Sequence, residues 1–241
     1  MRRDPFGFPL AGEWPAIDAA GMAEVDRLMI EDYGIETAQM MENAGRALAT
    51  LAWKGFLARG KLRRVTILAG SGGNGGGALT AARRLACWGA DLAIVLAQDT
   101  SAMAPVSTKQ LRILERMGLR PVPFPPSGAD LIVDGLIGYS LHGAPRGRAA
   151  ELIDLANASP TPVLSLDVPS GFDATSGQDL RPSIQATATL TLALPKAGLA
   201  SCAATGDLYL ADISVPPDLY RRLAPPLKVG RFNLGEILRV L

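Results

Sequence analysis

Short, continuously apolar runs alternate along this chain with stretches whose apolar residues recur every three or four positions, and that alternation leaves few folds open. The runs are "RVTILAG", "DLAIVLA", "ADLIVDGLIG" and "PVLSLDVPSG"; between them lie "GALTAARRLACWG", "STKQLRILERMG" and "RAAELIDLANAS". A strand, one helix and a further strand make a βαβ unit, which sets neighbouring strands parallel. Strands that are apolar at successive positions, without polar alternation, fit a sheet covered by helices on both faces. The expected class is therefore α/β, a three-layer αβα sandwich around a mostly parallel central sheet.

The flanks extend this pattern. "MAEVDRLMIEDYG" and "TAQMMENAGRALATLAWKGFLARG" have helical periodicity, so two helices open the chain, the second stopping near Gly60. A proline-rich connection runs from Pro121 to Pro126. After Gly177, "ATATLTLALP" and "GDLYLADISVP" read as strands joined with little helix, extending the same sheet at one edge. Residues 1–241 are expected to form a single domain. The tail "APPLKVGRFNLGEILRVL" is expected to be a short docked helix or a severed linker.

Composition excludes several function classes. Lys plus Arg (24) and Asp plus Glu (23) nearly cancel, so no global field recruits nucleic acid or an anionic membrane. No apolar run reaches the ~20 residues needed to span a bilayer, and the two arginines of "MRRDPFGFPL" precede no signal-like segment. Cys87 and Cys202 lack metal-ligand spacing and are expected to be buried, reduced thiols, which suits the cytoplasm.

Ligand chemistry concentrates after the predicted strands. Gly70, Gly72 and Gly75 have G-x-G-x-x-G spacing between a predicted strand and a predicted helix, where glycines allow backbone to approach a phosphate and the helix N-terminus offers free N–H donors. Close strand-to-helix packing is the alternative reason for them. Asp99 stands where a dinucleotide site places an acid on ribose. Asp134 and Asp167 end two apolar strands, where a carboxylate needs a cation or several donors. Asn74, Asp134 and Ser170 offer hard oxygen ligands of the kind an alkali or alkaline-earth cation takes; capping a loop is the competing role for Asp167 and Ser170.

"MMENAGRALA", "LAGSGGNGGGALTAARRLACWGA", "ADLIVDGLIGYSLHGAPRGRAAELIDLANAS", "PVLSLDVPSGFDATSG" and "LALPKAGLASCAATGDLYLADISVPP" resemble, in order and spacing, the NAD(P)H-hydrate epimerase family, also called the YjeF amino-terminal domain. The resemblance covers about residues 18–220 and leaves 221–241 as a C-terminal tail. It implies a Rossmann-like αβα sandwich that interconverts the R and S forms of hydrated NADH and NADPH in nicotinamide nucleotide repair. It implies a potassium ion on Asn74, Asp134 and Ser170. Nucleotide contacts carry over onto Gly73, Asn74, Gly75, Gly76 and Gly77, onto Gly138, Tyr139, Ser140, Leu141, His142, Gly143 and Ala144, and onto Asp167. Relatives often continue into a hydrate dehydratase, so a separate dehydratase is the expected partner, with a homodimer also compatible.

Family members read something like N-N-G-G-D where this chain reads Gly73-Asn74-Gly75-Gly76-Gly77, so two polar side chains are missing. Epimerisation needs hydroxide to leave and return at the hydrated carbon while the ring nitrogen carries positive charge, and Asp167 is the expected catalytic acid and base. Lys196 is a candidate phosphate or ring-carbonyl partner, or an ordinary solvated lysine. Two other readings stay open: a nucleotide-binding or partner protein that has lost its chemistry, and an NAD-dependent dehydrogenase, which lacks a Tyr-x-x-x-Lys pair.

Overall fold

The computed structural model describes residues 2–58, 63–230 and 232–240. Its centre is one seven-stranded sheet in the order β2-β1-β3-β4-β5-β6-β7. The strands are β1 (Arg64–Ala69), β2 (Asp91–Leu96), β3 (Leu131–Gly135), β4 (Val163–Leu166), β5 (Ala188–Leu192), β6 (Asp207–Ala211) and β7 (Ile237–Arg239). The first six pair parallel and β7 closes the edge antiparallel to β6. The helices are α1 (Ala19–Arg27), α2 (Thr37–Ala52), α3 (Gly73–Cys87), α4 (Pro105–Arg116), α5 (Gly147–Ala158) and the short α6 (Pro217–Tyr220).

Two apolar layers explain the strand composition. Val65, Ile67 and Ala69 pack with Leu48, Leu51, Leu79, Leu85 and Leu111 of α2, α3 and α4. On the other face Leu68, Val95 and Ile132 meet Leu152, Ile153 and Ala156 of α5. Each strand is thus apolar on both sides of its pleat, as a doubly covered parallel sheet requires. The architecture is the Rossmann-like αβα sandwich expected, with β5 and β6 extending one edge and only short 3₁₀ turns, Ala197–Ser201 and Ala203–Thr205, between them. Among the described residues no helix is long and apolar enough to cross a membrane.

The tail differs from expectation. It supplies neither a docked helix nor a free linker but the strand β7, whose Ile237 and Leu238 are buried against β6. Three residues carry too little local pattern to announce a strand; the open edge of β6 selects them. The expected helix stop near Gly60 lies outside the described residues, and before it α2 continues through a π-helical turn, Trp53–Leu57. The cysteines are free, as expected, but Cys87 is exposed and Cys202 half-buried. Cys87 falls off the buried stripe of α3 formed by Ala78, Ala81, Ala82 and Leu85, so it does not face the sheet.

Candidate active site

Parallel strands bring their carboxyl ends to one side of the sheet, and a cleft of about 770 Å³ opens there. Its wall includes Gly70 to Asn74 after β1, Leu136 to His142 after β3, Leu166 and Asp167 at the end of β4, and Leu192 and Lys196 after β5. Met22 and Asp26 of α1 and Met40, Met41 and Ala44 of α2 cover it from the side.

The glycine stretch is more helical than its composition suggests. α3 begins at Gly73, four residues before the helix expected from "GALTAARRLACWG". Helix propensity disfavours glycine, but packing decides here. A Cβ on Gly75 would stand 1.9 Å from the Gly70 carbonyl oxygen, and one on Gly70 would stand 1.9 Å from that of Leu136. The two glycines let the first turn of α3 press onto the turns after β1 and β3. Gly75 and Gly76 are accordingly packed and do not line the cleft, whereas Gly73, Asn74 and Gly77 do. No side chain caps α3 at Gly72, which leaves first-turn N–H groups facing the cleft end.

Of the loop after β3, Gly138, Tyr139, Ser140, Leu141, His142 and Ala144 line the cleft and Gly143 does not. His142 is exposed. Asp99 lies outside the lining and Gln98 takes its place, so no acid from β2 reaches this wall.

Asp167 and Lys196 form an ion pair sealed from solvent, the side chains 5% and 1% exposed. Lys196 Nζ donates to Asp167 Oδ1 and, at 2.8 Å, to the Leu192 carbonyl. The Asp167 carboxylate also accepts the N–H groups of Tyr139 at 3.2 Å and Leu192 at 3.3 Å. Its backbone is left-handed, φ 69°, in a tight turn closed by Val168 N–H onto the Leu166 carbonyl. Asp tolerates that region better than most residues, and such conformations collect at functional sites. The lysine is therefore not an ordinary solvated one.

Sequence reasoning missed Asp26. Its Oδ2 accepts the Tyr139 hydroxyl at 2.7 Å, and burial raises its pKa, with the Tyr139 bond and Lys196 pulling it back down. A signal was present: Met22, Val25, Asp26 and Met29 share one helical face at spacings of three and four, so an acid interrupts an apolar stripe. Burial also raises the pKa of the Tyr139 phenol, and the charge of Asp26 adds to that rise.

A separate oxygen cluster lies behind the turn after β3. Asp134 is wholly buried, and its carboxylate accepts Ser170 Oγ at 2.6 Å, Ser165 Oγ at 2.8 Å, Ser170 N–H at 3.0 Å and Leu136 N–H at 3.2 Å. Ile137 N–H donates to Ser170 Oγ at 2.9 Å. Asn74 lies against Gly138, where a Cβ would be 3.3 Å from its Oδ1, and its buried Nδ2 has no partner. The structure thus gathers Asn74, Asp134 and Ser170 around Leu136 to Gly138. Burial pushes the Asp134 carboxyl pKa up, and its partners are neutral donors. Among the described residues no group of three His, Cys, Asp or Glu could hold a metal. An all-oxygen set beside a buried carboxylate that has neutral donors and no cationic partner fits a hard cation.

The sequence pattern of the family described as YjeF-related protein N-terminus matches residues 37–198. An NAD(P)H-hydrate epimerase of Dehalogenimonas lykanthroporepellens is 48% identical over 224 residues, covering 91% of this chain and 90% of that protein. A bifunctional NAD(P)H-hydrate repair enzyme Nnr of Moorella thermoacetica is 34% identical, covering 84% of this chain and 41% of the longer protein. The crystal structure of yeast ynu0, YNL200c, shares the fold, with a TM-score of 0.81 at 23% identity over 94% of this chain and 100% of that one.

Proposed function

The chain belongs to the YjeF amino-terminal family, that of the NAD(P)H-hydrate epimerases, and we propose that it interconverts the R and S epimers of hydrated NADH and NADPH in nicotinamide nucleotide repair. The observation that carries the assignment to this cleft is the buried Asp167–Lys196 pair in its lining, at the carboxyl ends of the strands. A buried ion pair seldom gains stability over apolar residues of similar size, so its place at the cleft is better explained by chemistry.

The first turn of α3 receives the phosphates through backbone N–H groups, which need no side chain, so glycine at positions 73 and 77 leaves that contact intact. Met22, Met40, Met41 and Leu192 exclude bulk water from the ring. Asp167 takes or returns the proton as hydroxide leaves and rejoins the hydrated carbon, and its charge favours the cationic ring between those events. Lys196 fixes the carboxylate in that position. Residues 1–241 act as one unit on this reading, with the strand from the tail completing the sheet that carries the cleft.

Asn74, Asp134 and Ser170 would hold a potassium ion, which supplies the positive charge that Asp134 lacks and steadies the loop carrying Gly138 to Ala144. Potassium should then raise the melting temperature more than sodium at equal ionic strength, and Asn74→Ala should remove the difference. Equal responses to both ions would refute the potassium site. On this reading a separate hydrate dehydratase consumes the product epimer, in keeping with a relative named as a bifunctional NAD(P)H-hydrate repair enzyme. The free thiols and the near balance of charge suit a cytoplasmic setting.

The test is epimer exchange on purified hydrated NADPH followed by NMR. Exchange well above the spontaneous rate is expected; none above it would sink the assignment.

A further inference from the structure

Inverting one carbon asks for proton transfer on both faces of the ring. The hydroxyl departs from one face and its replacement arrives on the other, so a single acid and base fixed on one wall serves half of the exchange. Asp167 with Lys196 is one such group. Among the described residues one other carboxylate lines the cleft, Asp26. The His142 imidazole, which also lines the cleft, is on the exposed lip.

Tyr139 links the two carboxylates. Its backbone N–H donates to Asp167 Oδ2 at 3.2 Å, its hydroxyl donates to Asp26 Oδ2 at 2.7 Å, and Lys196 Nζ stands 5.9 Å from its ring centroid. Asp167 and Asp26 therefore bind the two ends of one tyrosine and line the cleft from different elements, the end of β4 and α1. Their surroundings differ as well. Asp167 is charge-paired and accepts backbone N–H groups, whereas Asp26 shares the lining with Met22, Met40 and Met41 and accepts the neutral Tyr139 hydroxyl. Two carboxylates in unlike environments are the usual basis for dividing acid and base roles.

We propose that Asp26 is a second catalytic acid and base of this cleft, serving the ring face opposite to that served by Asp167, with Tyr139 as its positioning residue. The inference rests on the epimerase reading. In one direction Asp26, as the carboxylic acid, gives its proton to the departing hydroxyl. The C–O bond breaks with its electron pair on oxygen, water leaves, and the ring nitrogen lone pair forms the cationic C=N bond. A water on the other face then bonds to the same carbon and passes a proton to the Asp167 carboxylate. The reverse reaction exchanges the two roles. Nothing is oxidised or reduced, and the proton lost by one carboxylate is gained by the other. Burial raises the pKa of Asp26, which fits a group that must be an acid in one direction.

Asp26→Asn keeps an oxygen for the Tyr139 hydroxyl and removes the proton. Exchange by NMR should fall ~10²–10⁴-fold, the range for a lost general acid or base, while NADP⁺ affinity holds and the melting temperature does not fall. The second variant is Tyr139→Phe. The charged and titratable groups facing Asp26 are the Tyr139 hydroxyl from the loop after β3, Asp167 from the end of β4 and Lys196 after β5. Only the hydroxyl, which favours the ionised form, is lost, so the limb of the pH–rate profile set by Asp26 should move to higher pH. A residue that only supports the fold would not move it. Asp26→Asn retaining more than a tenth of the rate, rate and affinity falling in proportion, or an unmoved pH limb would each overturn the proposal while wild-type exchange stands. No exchange in the wild type would overturn the epimerase reading and the proposal together.

Discussion

An ammonium sealed beside a carboxylate, as at Lys196 and Asp167, loses more hydration than the attraction of the pair reliably returns, so removing one partner is worse than removing both. Lys196→Met leaves Asp167 buried and unpaired and should cost about 3–5 kcal/mol of stability. Asp167→Asn is not conservative either, since its amide would face Lys196 Nζ and two backbone N–H groups. In the double variant the new amide N–H can turn to the Leu192 carbonyl that Lys196 vacates. Its loss should therefore be smaller than the sum of the single losses by about 1 kcal/mol or more, read from a double-mutant cycle in urea. Strict additivity would show the pair to be uncoupled. Asp26 makes the opposite demand. With its folded pKa raised, the native protein binds that proton more tightly than the unfolded chain, so its contribution to stability is intact at low pH and lost as pH rises through the folded value. Asp26→Asn should flatten this decline in melting temperatures taken from about pH 4 to pH 8 and be the more stable protein at the upper end. Asp134, shifted the same way, keeps part of the slope in both proteins. A steeper decline in the variant would contradict the sign.

Among the elements, α2 and α3 pack tightly where Gly45 meets Thr80. A Cβ on Gly45 would stand 2.5 Å from both Thr80 Cβ and Cγ2 and 3.0 Å from the Ala81 nitrogen. Alanine in a helix interior is worth up to ~1 kcal/mol over glycine, but overpacking a rigid contact costs ~1–3 kcal/mol. Gly45→Ala should thus lower the melting temperature against its propensity, and a stabilised variant would show that the helices separate freely. The same competition decides what the sequence could announce. Strand and helix order was legible because each apolar run carries its own signal, and β1 to β6 lie within the runs that predict them. The start of α3 was not, since Gly73 to Gly77 read locally as a loop and become helical only against Gly70, Met41 and Leu166. Nor was β7, which depends on β6 about 30 residues earlier. At the site, Asp134 and Asp167 could be picked out because they end strands, and Ser170 because it lies in the turn that follows one. Lys196 and Asp26 could not be placed, because burial of a charged side chain depends on its partners, here Asp167 and Tyr139, far along the chain.

At the scale of the whole molecule, parallel strands give the sheet two unlike ends. Where the strands finish, the amino end of α3 adds roughly half a positive charge, and Asp167, Lys196 and the loop of Gly138 to Ala144 gather around the cleft. Where they start, a smaller cavity of about 300 Å³ lies among Phe124, Pro125, Ser127, Ser159 and Thr161. Among the described residues it has no charged side chain and no helix start to meet a phosphate. A dinucleotide that uses backbone N–H groups for its phosphates should therefore slow hydrogen exchange at one end only. Adding NADP⁺ should protect amides at Gly72 to Gly75 and Ile137 to His142 and leave Ser127 to Asp130 and Ser159 to Thr161 unchanged. A ligand that merely stabilised the fold would protect the central strands globally, and both ends with them. Local protection at the carboxyl ends, with Asp26→Asn retaining it, would separate nucleotide binding from proton transfer. Protection centred on Ser127 to Asp130 would move the site to the other side of the sheet and leave Asp167 and Lys196 without a substrate.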